Sequence, residues 1–344
     1  MRKKALAKGA ELSCATALER ETVTDSKGIK GKKIGIIHGV GWGGFLNGLI
    51  EHFRKNNNQV RVPESNWASE YEDIIKWADV VWLEWGSEQA IHVTNKVEAL
   101  KSKPTICRIH GYELFFGFLP QINWSAVSHA VFVSDFMIEL ARRVCPALFK
   151  QTKIGILPNG VDLDRFPFKN NGPGLNLAVV GDVAEKKNPA LWIEIACRLR
   201  EINPGFTIHV AGEIKEAKIH LYLDHIIGSL NLSKNMVYHG YVKDIPGWFR
   251  KQKINYLLST SYFESFGYSI AEAMAMGCKP LVFHYPGADR IWPSTCLFRN
   301  TDELIALIQN NNDYDSKAFR QFVTERYSLA HQLAVLDQLT DSII

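Results

Sequence analysis

Two glutamates and a glycine turn are where this chain could do chemistry. Residues 264–277 read ESFGYSIAEAMAMG. They follow the apolar run Ile254-Asn255-Tyr256-Leu257-Leu258, which predicts a buried strand ending in the polar edge Ser259-Thr260-Ser261. Gly267 lets the backbone turn sharply and approach a ligand. A helix over Ile270–Met276 is expected next, stopped by Gly277 with Pro280 three residues beyond. Glu264 then sits on the loop above a strand's carboxyl end, and Glu272 about one turn into the helix. The helix amino terminus points unpaired N–H groups into the same space, which suits a phosphate. Two solvated glutamates would be the plain alternative. The small helix residues, the Phe-Gly turn and the anion site between the acids favour a ligand.

Alternating strands and helices would position such a site. Apolar runs at Ile34–His38, Asp79–Leu83, Thr105–Ile109, Ala130–Val133, Ile154–Leu157, Leu175–Gly181, Phe206–Glu213, Val237–Val242 and Lys279–Phe283 are separated by helical stretches. That rhythm predicts parallel sheets covered by helices on both faces. The first strand runs into Gly39-Val40-Gly41-Trp42-Gly43-Gly44 and a helix over Phe45–Lys55. Gly39, Gly41 and Gly44 fit GxGxxG, with Glu64 near the expected acidic position. This keeps an NAD-dependent oxidoreductase open as an alternative. His110 follows a buried strand and meets Gly111, which puts it at a strand's carboxyl end, where open α/β sheets bind ligands. The run Leu114–Leu119 is very apolar, and reads either as packed structure or as an acceptor- or membrane-facing loop. Helices are expected over Asp302–Asn310, Ser316–Tyr327 and Leu329–Leu339.

Composition narrows the class. The 344 residues suit two domains, and with 46% apolar and 22% charged residues the chain is globular. Residues 1–33 hold nine Lys/Arg against four acids, leaving 31 basic and 32 acidic residues in the rest. The body therefore carries no basic excess for nucleic acid. The leader, 1–31, with a possible short helix over Ala5–Arg20, reads as solvated or as a contact to an anionic surface. No apolar run is long enough to span a bilayer, and the start does not read as a signal peptide. The six cysteines show no CxxC or zinc spacing, which favours reduced thiols in a cytoplasmic protein and no metal.

At Glu264–Ala275 the chain resembles retaining glycosyltransferases of family four: Glu, seven residues, Glu, with Phe-Gly after the first acid and Glu-Ala-Met-Ala at the second. The resemblance implies the GT-B fold, two Rossmann-like domains facing each other across a cleft, with the last helix packing back on the first domain. The expected divisions are a first domain at 32–155 on the acceptor side, a sugar-nucleotide domain at 156–326, and a returning helix at 327–344. Pro158-Asn159-Gly160-Val161-Asp162 would carry the passage between domains.

By this resemblance Glu264 contacts the donor sugar, Glu272 the ribose hydroxyls, and His110 hydrogen-bonds near the sugar. Phe266, Gly267, Tyr268 and Ser269 offer backbone N–H groups to the diphosphate of a UDP- or GDP-sugar. Gly41 and Gly43 let the backbone approach donor or acceptor, and Tyr241 and Val242 line the base pocket. The loop after Gly181 matches the family's diphosphate loop at Lys187, but Asp182 stands where the family has Arg. An acid there repels phosphate, so either it costs affinity, or a neighbouring cation, Lys186 being nearest in sequence, compensates, or the donor sits differently. A non-catalytic sugar-nucleotide-binding relative would also explain Asp182. The implied partners are a nucleotide-sugar donor and a saccharide or lipid-linked acceptor, with no metal cofactor, in the cytoplasm or at the inner face of the membrane.

Overall fold

The structure, a computed structural model, describes residues 28–341 and 343 apart from 42, 43 and 45. Gly43 and the helix expected over Ala5–Arg20 lie outside the described residues. Two six-stranded sheets make up the fold, and every strand pairing in them is parallel.

The first sheet contains β1 (Lys33–Ile37), β2 (Gln59–Arg61), β3 (Val80–Glu84), β4 (Thr105–Ile109), β5 (His129–Phe132) and β6 (Lys153–Ile156), in the order β2-β1-β3-β4-β5-β6. The second contains β7 (Asn176–Val180), β8 (Thr207–Ala211), β9 (Met236–Tyr238), β10 (Tyr256–Ser259), β11 (Lys279–Phe283) and β12 (Leu297–Phe298), in the order β12-β11-β10-β7-β8-β9. β3, β4 and β5 are buried throughout, because helices cover both faces of a parallel sheet and leave no solvated side to alternate with. The short edge strands β2 and β12 were not expected from the sequence.

In the second sheet the order reverses between β7 and β10. Loops leaving the carboxyl ends of two strands on either side of such a point diverge and leave a crevice between them. Gly181 follows β7 and Glu264 follows β10, so this crevice holds the residues singled out above.

The end of the chain belongs to both halves. The helix Ser316–Tyr327 packs Phe319 and Val323 into the core under the glutamate helix. The chain then crosses back beside residue 161: Val161 N donates to Tyr327 O (2.7 Å) and Leu329 N to Val161 O (2.8 Å). The last helix, Leu329–Asp341, lays Leu333, Leu336 and Leu339 on a core made by Ile34, Ile36, Trp82 and Val131 of the first sheet. The approach is close. A Cβ at Gly48 would meet Leu329 Cδ1 at 2.8 Å, one at Gly155 would meet Leu339 Cδ1 at 2.9 Å, and one at Gly160 would meet Gln332 Oε1 at 2.8 Å. His52 and Asp337 add a 2.7 Å pair at its edge.

Among the described residues, Cys107, Cys145, Cys278 and Cys296 are buried and unpaired thiols. Among the described residues no helix is long and apolar enough to cross a membrane, and no group of three or more His, Cys, Asp or Glu side chains is placed to hold a metal.

Candidate active site

A cavity of about 1080 Å³ opens between the carboxyl ends of the two sheets. Its wall on the second domain is built by the glutamate loop and helix. Gly267 has φ +92°, a left-handed value that a side chain would strain, and the helix runs from Tyr268 to Ala275, two residues earlier than expected. No side chain caps its amino terminus, so its first N–H groups are left toward the cavity, which Phe266, Gly267, Tyr268 and Ser269 line.

Lys187 is placed by three hydrogen bonds around its loop. Thr260 Oγ1, at the end of β10, accepts from Trp192 Nε1 (2.6 Å) and donates to Lys187 O (2.6 Å). Tyr262 N donates to Lys186 O at 3.2 Å. The loop is thereby fastened to the strand that ends at Glu264. Lys187 Nζ lies 2.7 Å from Glu264 Oε1, Ser261 Oγ donates to the same oxygen at 2.9 Å, and Lys186 Nζ is 3.5 Å from Oε2. Burial opposes ionisation of Glu264, but the two lysine charges outweigh it and hold the carboxyl below its ordinary value. Gly181 has φ +117° and lies against the Lys187 stem, 3.8 Å from Cε to the position of a Cβ.

Glu272 differs. Burial pushes its carboxyl up to about 7, with the charge of Arg165 pulling the other way. A carboxylate that loses this much by desolvation gains correspondingly from donors brought by a ligand.

The first domain contributes the opposite wall. His110 directly follows β4, with its ring Nε2 2.7 Å from Glu84 Oε1. Glu113, itself buried, accepts from the backbone N–H of His110 (3.0 Å), Gly111 (2.6 Å) and Gly86 (3.3 Å), which fixes the two strand-end turns together. Trp85 stacks on the His110 ring at 4.0 Å between centroids and has φ +77°, a backbone conformation costly for a bulky residue. Beyond His110 the wall is aromatic: Tyr112, Phe115, Phe116 and Phe118, met from the second domain by Phe263 at 4.6 Å from Phe115. Phe115 and Phe116 are 60% and 68% exposed, so the 114–119 run divides: Leu114 and Leu119 pack inward while the phenylalanines face the opening.

His110, Gly181, Lys186, Lys187, Glu264, Phe266, Gly267, Tyr268, Ser269 and Glu272 thus line one cavity. Gly41, Asp182, Tyr241 and Val242 do not line it. Tyr241 is 72% exposed, and Val242 packs against the second domain's core. Lys186 does not compensate Asp182. The short bridge between Val183 and Ile214 brings the loops after β7 and β8 together, and Asp182 pairs with Lys215 at 2.5 Å instead.

Four neighbours were not picked out from the sequence as site residues: Glu84, Trp85, Arg108 and Asn159. Arg108 is fully buried, with Nη1 3.3 Å from Glu84 Oε1 and Nη2 donating to Asn159 Oδ1 at 2.7 Å. Trp82 Nε1 donates to Glu84 Oε2 at 2.6 Å. Burial opposes the charge on Glu84, yet Arg108 and the His110 hydrogen bond pull its carboxyl down to about 2. The available signal was an acid and an arginine inside otherwise apolar strands, which are rare unless paired.

Residues 161–293 match the family model described as glycosyl transferases group 1. Over 181 residues the chain is 28% identical to the Escherichia coli UDP-Gal:alpha-D-GlcNAc-diphosphoundecaprenol alpha-1,3-galactosyltransferase, a match spanning 48% of this chain and 43% of that protein. Among solved structures, Anabaena HepE in complex with UDP and glucose superposes with a TM-score of 0.69 at 15% identity, covering 90% of this chain and 99% of that one. The sucrose-phosphate synthase of Thermosynechococcus elongatus reaches 0.69 at 12% identity, over 90% and 98%. The chain therefore has the GT-B fold, and its second domain carries the match to group 1 glycosyl transferases.

Proposed function

We propose that this protein is a retaining glycosyltransferase that moves a hexose-like sugar from a UDP-sugar to a saccharide or lipid-linked acceptor. The observation that carries the reading is the Lys187–Glu264 pair facing an uncapped helix amino terminus in one cavity with Glu272 and His110. Lys187 and the helix N–H groups stabilise charge developing on the leaving diphosphate, already oriented before the reaction begins. Glu264 receives the sugar's hydroxyls, and Glu272 the ribose. The acceptor attacks from the face the diphosphate leaves, and the departing phosphate takes its proton. The complexes of HepE with UDP and glucose support a uridine donor, and the exposed phenylalanines beside His110 support an acceptor with apolar or ring-bearing character. Contact with the inner face of a membrane would accompany a lipid-linked acceptor.

A thermal-shift screen of UDP-, GDP- and ADP-sugars tests this. Only the uridine series should stabilise the protein, and NMR of the product should show the donor's anomeric configuration kept. Stabilisation by none of them would remove the reading.

Asp182 favours one second reading, a sugar-nucleotide binder with weak or absent transfer. Asp182→Arg replaces an acid by the family's cation beside the diphosphate loop. Because Lys215 already pairs with Asp182 on an exposed loop, the gain in UDP binding should stay under about 1 kcal/mol and shrink at high salt. If UDP affinity does not change in the folded variant, the diphosphate does not pass this loop.

Glu272 gives a pH signature. Its carboxyl, raised to about 7 in the folded chain, is protonated below that pH and accepts two ribose hydroxyls only above it. UDP affinity should therefore rise from pH 6 to pH 8. The sign for stability is opposite: the folded state holds this proton more tightly than the unfolded one, so this contribution is full at acid pH and is lost as pH rises through 7. Glu272→Gln should flatten the binding profile, and Glu272→Ala should weaken UDP by about 2 kcal/mol at pH 8, as measured by calorimetry.

A further inference from the structure

The cavity's first-domain wall holds its histidine in a defined way. His110 Nε2 is 2.7 Å from Glu84 Oε1, and Glu84 is 1% exposed. The other groups around that carboxylate are donors: Trp82 Nε1 at 2.6 Å and Arg108 Nη1 at 3.3 Å. An ionised carboxylate accepts and cannot donate, so the ring nitrogen facing it must carry the hydrogen. Trp85 covers one face of the ring and Glu113 holds the His110 backbone, and a half-turn of the imidazole would take Nε2 away from Glu84 and break that 2.7 Å contact. Nδ1 is left as the nitrogen available to the cavity that His110 lines.

We propose that Glu84 is a positioning residue: it locks His110 as the Nε2–H tautomer, so that Nδ1 meets the substrate as a hydrogen-bond acceptor. The partner is then a hydroxyl that donates, as on the transferred sugar, and not a phosphate oxygen, which could only accept. This last step rests on the glycosyltransferase reading, whereas the tautomer does not. Arg108 extends the arrangement to Asn159, in the segment leading from the first sheet to the second, so the ring's orientation is tied to the passage between the halves.

The test uses the full chain with ¹⁵N-labelled histidine. At pH 8 the long-range ¹H–¹⁵N spectrum of His110, assigned by its loss in His110→Ala, should show Nε2 protonated and Nδ1 bare. In Glu84→Gln, whose amide can either accept or donate, the two nitrogens should shift toward a mixture. With UDP-glucose as donor probe, kcat for UDP release should fall about 10- to 100-fold, the range for removing a partner that orients a functional histidine. UDP affinity should stay within twofold. In the His110→Ala background Glu84→Gln should have little further effect, which a merely structural role would not produce. An Nδ1–H ring in the unmutated protein overturns the proposal, as does an equal loss of kcat from Glu84→Gln with and without His110. If UDP-glucose is neither bound nor turned over, this donor reading fails, while the spectrum of the unmutated protein still decides the role of Glu84.

Discussion

Lys187→Ala should lower turnover of the sugar-nucleotide donor by about 10²–10³-fold while the protein stays folded. The lysine lines the cavity, with its amine 2.7 Å from Glu264 and its loop fastened to β10 through Thr260. A donor already aimed at developing charge is worth roughly 2.7–4 kcal/mol in the transition state, which sets this range. Lys186 does not replace it, because its amine is half-exposed and stands 3.5 Å from the other oxygen of Glu264. The loss should fall on kcat more than on UDP affinity, since the helix N–H groups still hold the ground-state diphosphate. Steady-state assay of UDP release, with circular dichroism as the control for folding, reads this directly. Turnover within threefold of the parent in a folded variant would take Lys187 out of the reaction.

Arg108→Met should instead act on stability, by about 3–5 kcal/mol, the range for leaving one member of a buried ion pair without the other. In a chain of this size that corresponds to a melting temperature about 4–7 °C lower. The pH dependence gives the sign. In the parent, the Glu84 carboxyl is held at about 2, so its contribution is present above its unfolded value near 4.5 and is lost as pH falls through 2. Without Arg108, burial acts on Glu84 with less opposition, and the carboxyl rises. The deficit should thus be largest at neutral pH and shrink toward pH 4.5, as calorimetry of both proteins at the two pH values would show. A deficit independent of pH would mean that lost packing of the arginine, not its charge, carries the effect.

These two residues also mark how far the sequence could be read. Lys187, Glu264 and Glu272 stand in short contiguous stretches whose turns and helix starts are local, so their types and spacing already describe one wall of the cavity. Both sheets were legible for the same reason, since each long strand is an apolar run bounded by turn residues. Glu84 and Arg108 are not local. They are 24 residues apart and become neighbours because β3 and β4 pair with Glu84 opposite Arg108, a register that no single strand specifies. Asp182 shows the same limit. Lys186 is the near cation along the chain, but parallel strands bring adjacent loops together, and Lys215 arrives from the loop after β8. β2 and β12 are three and two residues long, too short for a period to be visible.

The returning helix Leu329–Asp341 has a consequence for how the chain is made. On a ribosome the first sheet emerges early, yet the apolar face formed by Ile34, Ile36, Trp82 and Val131 is covered by Leu333, Leu336 and Leu339, which are synthesised after the whole second domain. Domains generally fold in the order they appear, each as a unit. Here the first must wait, half-assembled and with that face open, while some 170 further residues are added, on the order of ten to thirty seconds at ordinary elongation rates. A segment made after the second sheet thus completes the core of the first, so a ribosome that stalls after Ser328 leaves two cores begun and only the second able to close.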